Sequence, residues 1–92
     1  TGFRRRAVSP PAPHLAAEAI EGRLPPGRTL AYPGPARPGL EHHLLLLEGA
    51  LSVTVAGTRH ALAAGDCLRY RLDGPSRFET GAEAARYVLF TV

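Results

Sequence analysis

The sequence predicts an all-β domain, a small barrel of short antiparallel strands, and three observations carry that prediction. Ten glycines and nine prolines interrupt 92 residues so often that no long helix can run uninterrupted. Turn signals recur at the spacing of about 8–12 residues that marks sandwiches and barrels. Between the turns, apolar residues alternate: Leu51, Val53 and Val55 share one parity while Ser52 and Thr54 hold the other. That is the period of a strand with one buried face.

The first strand is expected over Phe3 to Val8, ended by Ser9-Pro10-Pro11. The second runs from about His14 to Leu24. Its middle, Leu15 to Glu21, consists of good helix formers, but Ala16, Ile20 and Leu24 share a strand parity, and Pro25-Pro26-Gly27 closes the segment as a turn closes a strand. Thr29 to Tyr32 is a short third strand. Pro33 to Gly39 cannot pair inside a sheet, because its prolines have no amide hydrogen for a ladder, so it is a surface loop at the rim. Glu41 to Leu47 and Ala50 to Ala56 are expected as two strands around a tight Glu48-Gly49 turn. Thr58 to Leu62 follows across Ala56-Gly57, and Cys67 to Leu72 follows Ala64-Gly65-Asp66. Arg77 to Glu79 and Arg86 to Val92 complete about nine short strands, which favours a closed double-sheet barrel over an open sheet.

The run Leu44-Leu45-Leu46-Leu47 decides how the barrel is covered. His42, Leu44 and Leu46 lie on one parity; Glu41, His43, Leu45 and Leu47 lie on the other. A strand apolar on both faces sits between two layers. The inner set predicts one interior cluster of His42, Leu44, Leu46, Leu51, Val53, Val55, Leu68 and Tyr70. The outer set needs a second cover: either the strand Phe3 to Val8 folded across the sheet, or the same surface of another subunit. A homodimer burying at least about 1,200 Å² is expected.

Composition excludes several classes. Ninety-two residues form one domain with a single core; the chain contains no Met, so it is expected to be a piece of a longer protein. The net charge of +3 is modest and the only basic run is Arg4-Arg5-Arg6, which reads as a solvated edge or arm and not as a nucleic-acid surface. Cys67 is the single cysteine, which rules out an internal disulfide and fits a reducing cytoplasm; it is expected on the outer face as a small filler. No stretch approaches the ~20 apolar residues of a membrane span. The glycine- and proline-rich loop has no phosphate-cradling pattern, and no Ser, His and acidic set stands in a nucleophile setting. His60 is expected at the surface, and His14 carries no motif.

A further set of motifs stands at Glu41-His42-His43-Leu44, Leu47-Glu48-Gly49, Gly57-Thr58-Arg59, Ala64-Gly65-Asp66 and Gly74-Pro75-Ser76-Arg77-Phe78. Over about residues 24 to 92 this pattern resembles the cupin superfamily, and within it the small cupin domains that follow a helix-turn-helix in bacterial transcription regulators. The resemblance implies a double-stranded β-helix, or jelly-roll, barrel. Metal-binding cupins supply two histidines and a glutamate from the first motif and a histidine from the second. The matching positions here fall at Ala36, Pro38, His42 and Ser76. A transition-metal site needs at least three converging donors, so neither a metal nor another cofactor is expected.

The implied function is a metal-free domain that senses a small molecule and dimerises, reaching DNA only through a helix-turn-helix absent from these residues. The expected ligand-binding residues are His42, Tyr70, Ser76 and Arg37. The alternative is a stand-alone cupin isomerase or lyase acting on a sugar or carboxylic acid. That chemistry requires an acid/base pair; His42 with Tyr70 is the one pair available, with no carboxylate of suitable parity beside it.

Overall fold

The computed structural model describes residues 2–35 and 38–92. They form eight strands: β1 (Arg4–Ser9), β2 (Glu18–Leu24), β3 (Thr29–Tyr32), β4 (Leu40–Val55), β5 (Thr58–Ala63), β6 (Cys67–Leu72), β7 (Ser76–Glu79) and β8 (Ala85–Thr91). Every pairing is antiparallel. Two sheets result, and β4 belongs to both. Its first half lies between β8 and β6, with β2 and then β1 beyond β8. Its second half lies between β7 and β5, with β3 beyond β7.

The expected turn at Glu48-Gly49 is therefore a bend inside one sixteen-residue strand. The ladder with β8 explains why. Leu46 opposes Tyr87, the register slips by one residue, and Glu48 and Gly49 then oppose Arg86 and Ala85. A bulge of this kind bends a strand without releasing its partner. Gly49 makes the bend possible: its φ is +82°, and a Cβ placed there would stand 1.8 Å from the Ala84 carbonyl oxygen.

Two other expectations are corrected. β2 begins at Glu18 and not near His14, because residues 12–15 close a tight turn in which the Leu15 amide donates to the Ala12 carbonyl at 3.2 Å. Pro11 precedes that turn and Pro13 lies within it, and neither can donate to a ladder. β1 does not fold across the leucine strand; it extends the first sheet at its edge, paired to β2, with all six residues exposed. The Arg4-Arg5-Arg6 run is thus an edge strand, as its charge implies.

The two sheets face each other across the predicted interior. Leu44, Leu46 and Val53 are 0 % exposed, and Leu24, Leu51, Val55, Phe78, Ala85 and Tyr87 complete the buried core. Leu68 and Tyr70 pack against it, while Leu45 and His43 remain on the opposite face, so the inward parity read from the alternation is the observed register. His60 departs from expectation: it stands opposite Val53, on the inward row, and is half-buried. Cys67 is exposed, opposite Leu45.

Candidate functional site

The inner face of the first sheet is organised in three cross-strand rows. Glu18, Thr91, His42 and Tyr70 oppose one another in sequence across β2, β8, β4 and β6. Two residues along each strand comes an apolar row, Ile20, Leu89, Leu44 and Leu68. Two residues further comes a row of Arg5, Gly22, Tyr87 and Leu46. Period-two alternation places all three rows on one face. Where the second sheet is short, part of each row borders a cavity of about 700 Å³, within the range of small-molecule sites, while Leu44 and Leu46 stay covered in the core.

His42 and Tyr70 form the polar centre. The Tyr70 hydroxyl lies 3.2 Å from His42 Nδ1, and the two rings meet edge-on with centroids 5.3 Å apart. Burial lowers the His42 pKa, so the ring is held neutral, and burial pushes the Tyr70 phenol up to about 12. Two neutral partners permit two arrangements. Either Tyr70 donates to Nδ1, or Nδ1–H donates to the phenol oxygen and the phenol proton is offered to a ligand acceptor.

Ser76 enters the same cavity from the first position of β7 and is 7 % exposed. It opposes Tyr32, whose ring stands edge-on to Phe78 at 5.9 Å; Phe78 in turn meets Tyr87 at 5.5 Å. This aromatic wall joins the two sheets. Of the four ligand-binding residues expected from sequence, His42, Tyr70 and Ser76 line one cavity, and Arg37 lies outside the described residues, as does Ala36. Gly34 and Pro35 of the rim loop border the opening.

Sequence reasoning missed Arg5, Glu18, Tyr32 and Tyr87, all of which line the cavity. The parity of Tyr87 with Leu89 was a usable signal. Arg5 was hidden in a basic run that reads as a solvated edge, and Glu18 in a stretch of helix formers; Glu18 supplies the inward carboxylate that the pattern did not reveal. Tyr87 depends on a neighbour as well: a Cβ at Gly22 would sit 2.4 Å from its ring, so the glycine makes the space in which Tyr87 reaches toward β1.

The residues present do not fit the metal centre of metal-binding cupins. His42 has Nδ1 engaged by Tyr70, Ser76 is a hydroxyl and Pro38 offers no side-chain donor. Among the described residues no three His, Cys, Asp or Glu side chains converge.

No protein-family model matches the sequence, and no curated protein matches it. Solved structures match its fold. The cupin_2 domain of an XRE-family transcriptional regulator from Enterobacter cloacae superposes with a TM-score of 0.90 at 16 % identity, over 99 % of this chain and 96 % of that one. An HTH_3-family transcriptional regulator from Vibrio cholerae gives 0.89 at 21 % identity over 98 % of this chain, which spans 50 % of that protein. The EutQ protein of Clostridium difficile gives 0.77 at 10 % identity, over 97 % of this chain and 61 % of that one. The chain has the fold of the cupin_2 domains; at these identities the likeness defines architecture, and the fold hosts many functions. No helix is long and apolar enough to cross a membrane among the described residues.

Proposed function

We propose that this chain is the small-molecule-sensing and dimerising domain of a bacterial cytoplasmic transcription regulator, working without a metal. One observation carries the sensing role: a cavity of about 700 Å³ whose polar row centres on the neutral His42–Tyr70 pair, with Ser76 opposite. Similarity to domains of two transcriptional regulators supports the context. DNA contact belongs to a helix-turn-helix outside these residues. An effector bound in the cavity acts by its differential affinity for two arrangements of the dimer, which shifts the spacing of the DNA-binding elements.

The dimer rests on the outer face of the first sheet. Leu45, Leu47 and Val88 are half-buried there and Phe90 is 40 % exposed. Ion pairs from Glu21 to Arg6 at 3.3 Å and to Arg86 at 3.1 Å, and from Arg86 to Glu48 at 2.7 Å, border this patch. An apolar centre with a charged rim is the anatomy of a specific interface, and a self-complementary patch needs only a two-fold axis.

Thermal-shift screening of the purified chain against small metabolites tests the sensing role. A hit that raises Tm in the wild type and is lost in the His42→Ala/Tyr70→Phe double variant supports it; a panel without a single hit counts against it. Elemental analysis should find no stoichiometric transition metal, and a chelator should leave Tm unmoved. The enzyme reading keeps one supporting feature, the Glu18 carboxylate on the His42 row. The two stand two strands apart, about 10 Å, so they would act on different atoms of a substrate. Turnover of a sugar or carboxylic acid that Glu18→Gln abolishes would favour it.

A further inference from the structure

The three inner rows differ in charge in a way that selects a ligand. Arg5 is the cationic side chain of the cavity among the described residues, and Glu18 is the acidic one. They lie at opposite ends. Arg5 opposes Gly22, four residues along β2 from Glu18, a separation of about 13 Å along the strand. The carboxylates nearer Arg5 are engaged elsewhere: Glu21 with Arg6 and Arg86, and Glu48 with Arg86. No acidic side chain pairs with Arg5 among the described residues.

The Tyr87 phenol packs over Gly22, the residue opposite Arg5: a Cβ there would stand 2.6 Å from its hydroxyl, and the Arg5 charge acts on that phenol. The phenol is deeply buried and stays protonated, so it is a donor. Cation and neutral donor converge at one end of a cavity whose middle is the apolar row of Ile20 and Leu89. This pairing matches a carboxylate, which accepts from both groups. At the other end, the Glu18 carboxylate repels a second negative charge.

We propose that the cavity selects a monocarboxylate with an apolar body: the carboxylate on Arg5 and Tyr87, the body along Ile20 and Leu89. The inference rests on the reading of this cavity as a ligand site and specifies its ligand class.

The test is an NMR titration of the purified chain with hexanoate, hexan-1-ol, hexylamine and adipate, fragments whose affinity falls near about 1 mM. Hexanoate should shift the amides of Arg5, Ile20, Gly22, Tyr87 and Leu89, and should bind at least about tenfold tighter than the other three. Arg5→Gln, an exposed substitution, should weaken hexanoate about tenfold while leaving hexan-1-ol unchanged. Tyr87→Phe should weaken hexanoate alone by a smaller factor. Equal binding of the alcohol, amine or diacid, or an Arg5→Gln variant that holds hexanoate undiminished, overturns the carboxylate selection while leaving the cavity a ligand site. Absence of any shift with all four probes overturns both.

Discussion

β4 carries two kinds of sequence in one strand. In its first half, Leu44 and Leu46 face the interior while Leu45 and Leu47 face outward among Val88 and Phe90. In its second half, Leu51, Val53 and Val55 face the interior but Ser52 and Thr54 face outward. Thr54 stands between Arg59 and Arg77, and the Arg59 guanidinium donates to Ser52 Oγ at 3.1 Å. The second sheet thus presents water with a polar outer surface and needs no cover. The first does not. The interiors differ as well: the first half opens onto a polar-rowed cavity, whereas the second is sealed against Phe78. One strand therefore supplies the cavity wall and the unfinished face from its first half, and the closed core from its second.

The most damaging change falls at the junction of the halves. Gly49→Ala places a Cβ against the Ala84 carbonyl and forces a left-handed φ on a residue that resists it. Soluble yield and Tm should collapse, a loss above about 4 kcal/mol. A folded Gly49→Ala variant with wild-type Tm would show that the bend does not depend on glycine.

Inside, the halves should behave alike; outside, they should not. Leu44→Ala and Val53→Ala each remove buried methyl groups, and urea unfolding should show losses of about 2–5 kcal/mol for the leucine and somewhat less for the valine. On the outer faces, Leu45→Asp should convert a dimer to a monomer by light scattering at micromolar concentration, while Ser52→Asp on the second sheet leaves the mass unchanged. A wild type that is already monomeric, with Leu45→Asp equally soluble, would remove the argument that the leucine face is an interface.

Acid should act on the first sheet in two separate windows. His42 has its pKa lowered by burial in the folded state, so the unfolded chain takes up a proton first. Stability should fall as pH drops below about 6.5 and level off once the folded-state value is passed. His42→Gln should flatten that region of a Tm-against-pH curve. Glu21 and Glu41, whose pKa values are lowered chiefly by Arg86 and His43, contribute stability that is lost only below about 4.5. A curve unchanged by His42→Gln above that point would contradict the assignment of His42 to a desolvated site.

The smallest expected effect lies at the far end of the second half. Val55 and Thr58 are joined by Ala56 and Gly57, with φ of +50° and +78°, the two-residue turn in which both central residues are left-handed. Alanine is poorly suited to that conformation, and Ala56→Asn should raise stability by about 0.5–1 kcal/mol in urea unfolding. No gain would mean that the β4–β5 hairpin does not limit stability.

Much of this molecule was legible in the chain itself. Alternation at Leu51, Val53 and Val55, the double-sided leucine run and the recurrent turn residues determined an all-β barrel and its inward parity, because side-chain period is local and a one-residue slip would expose a whole row. Strand parity also marked His42 and Tyr70, and the resemblance to the cupin motifs marked Ser76, as facing one space. What the sequence did not contain was the partner of each strand. Glu48-Gly49 has the composition of a turn, and only the ladder from β8, which carries on past the bulge to Ala85, makes it a bend between two sheets. Arg5 looks like one residue of a solvated run, and Glu18 like part of a helix former's stretch. Each becomes part of a cavity only because β1 and β2 pair beside β8, bringing residues from both chain ends onto one face. Register across distant strands is set by the sum of many non-local contacts, and no single segment encodes that sum.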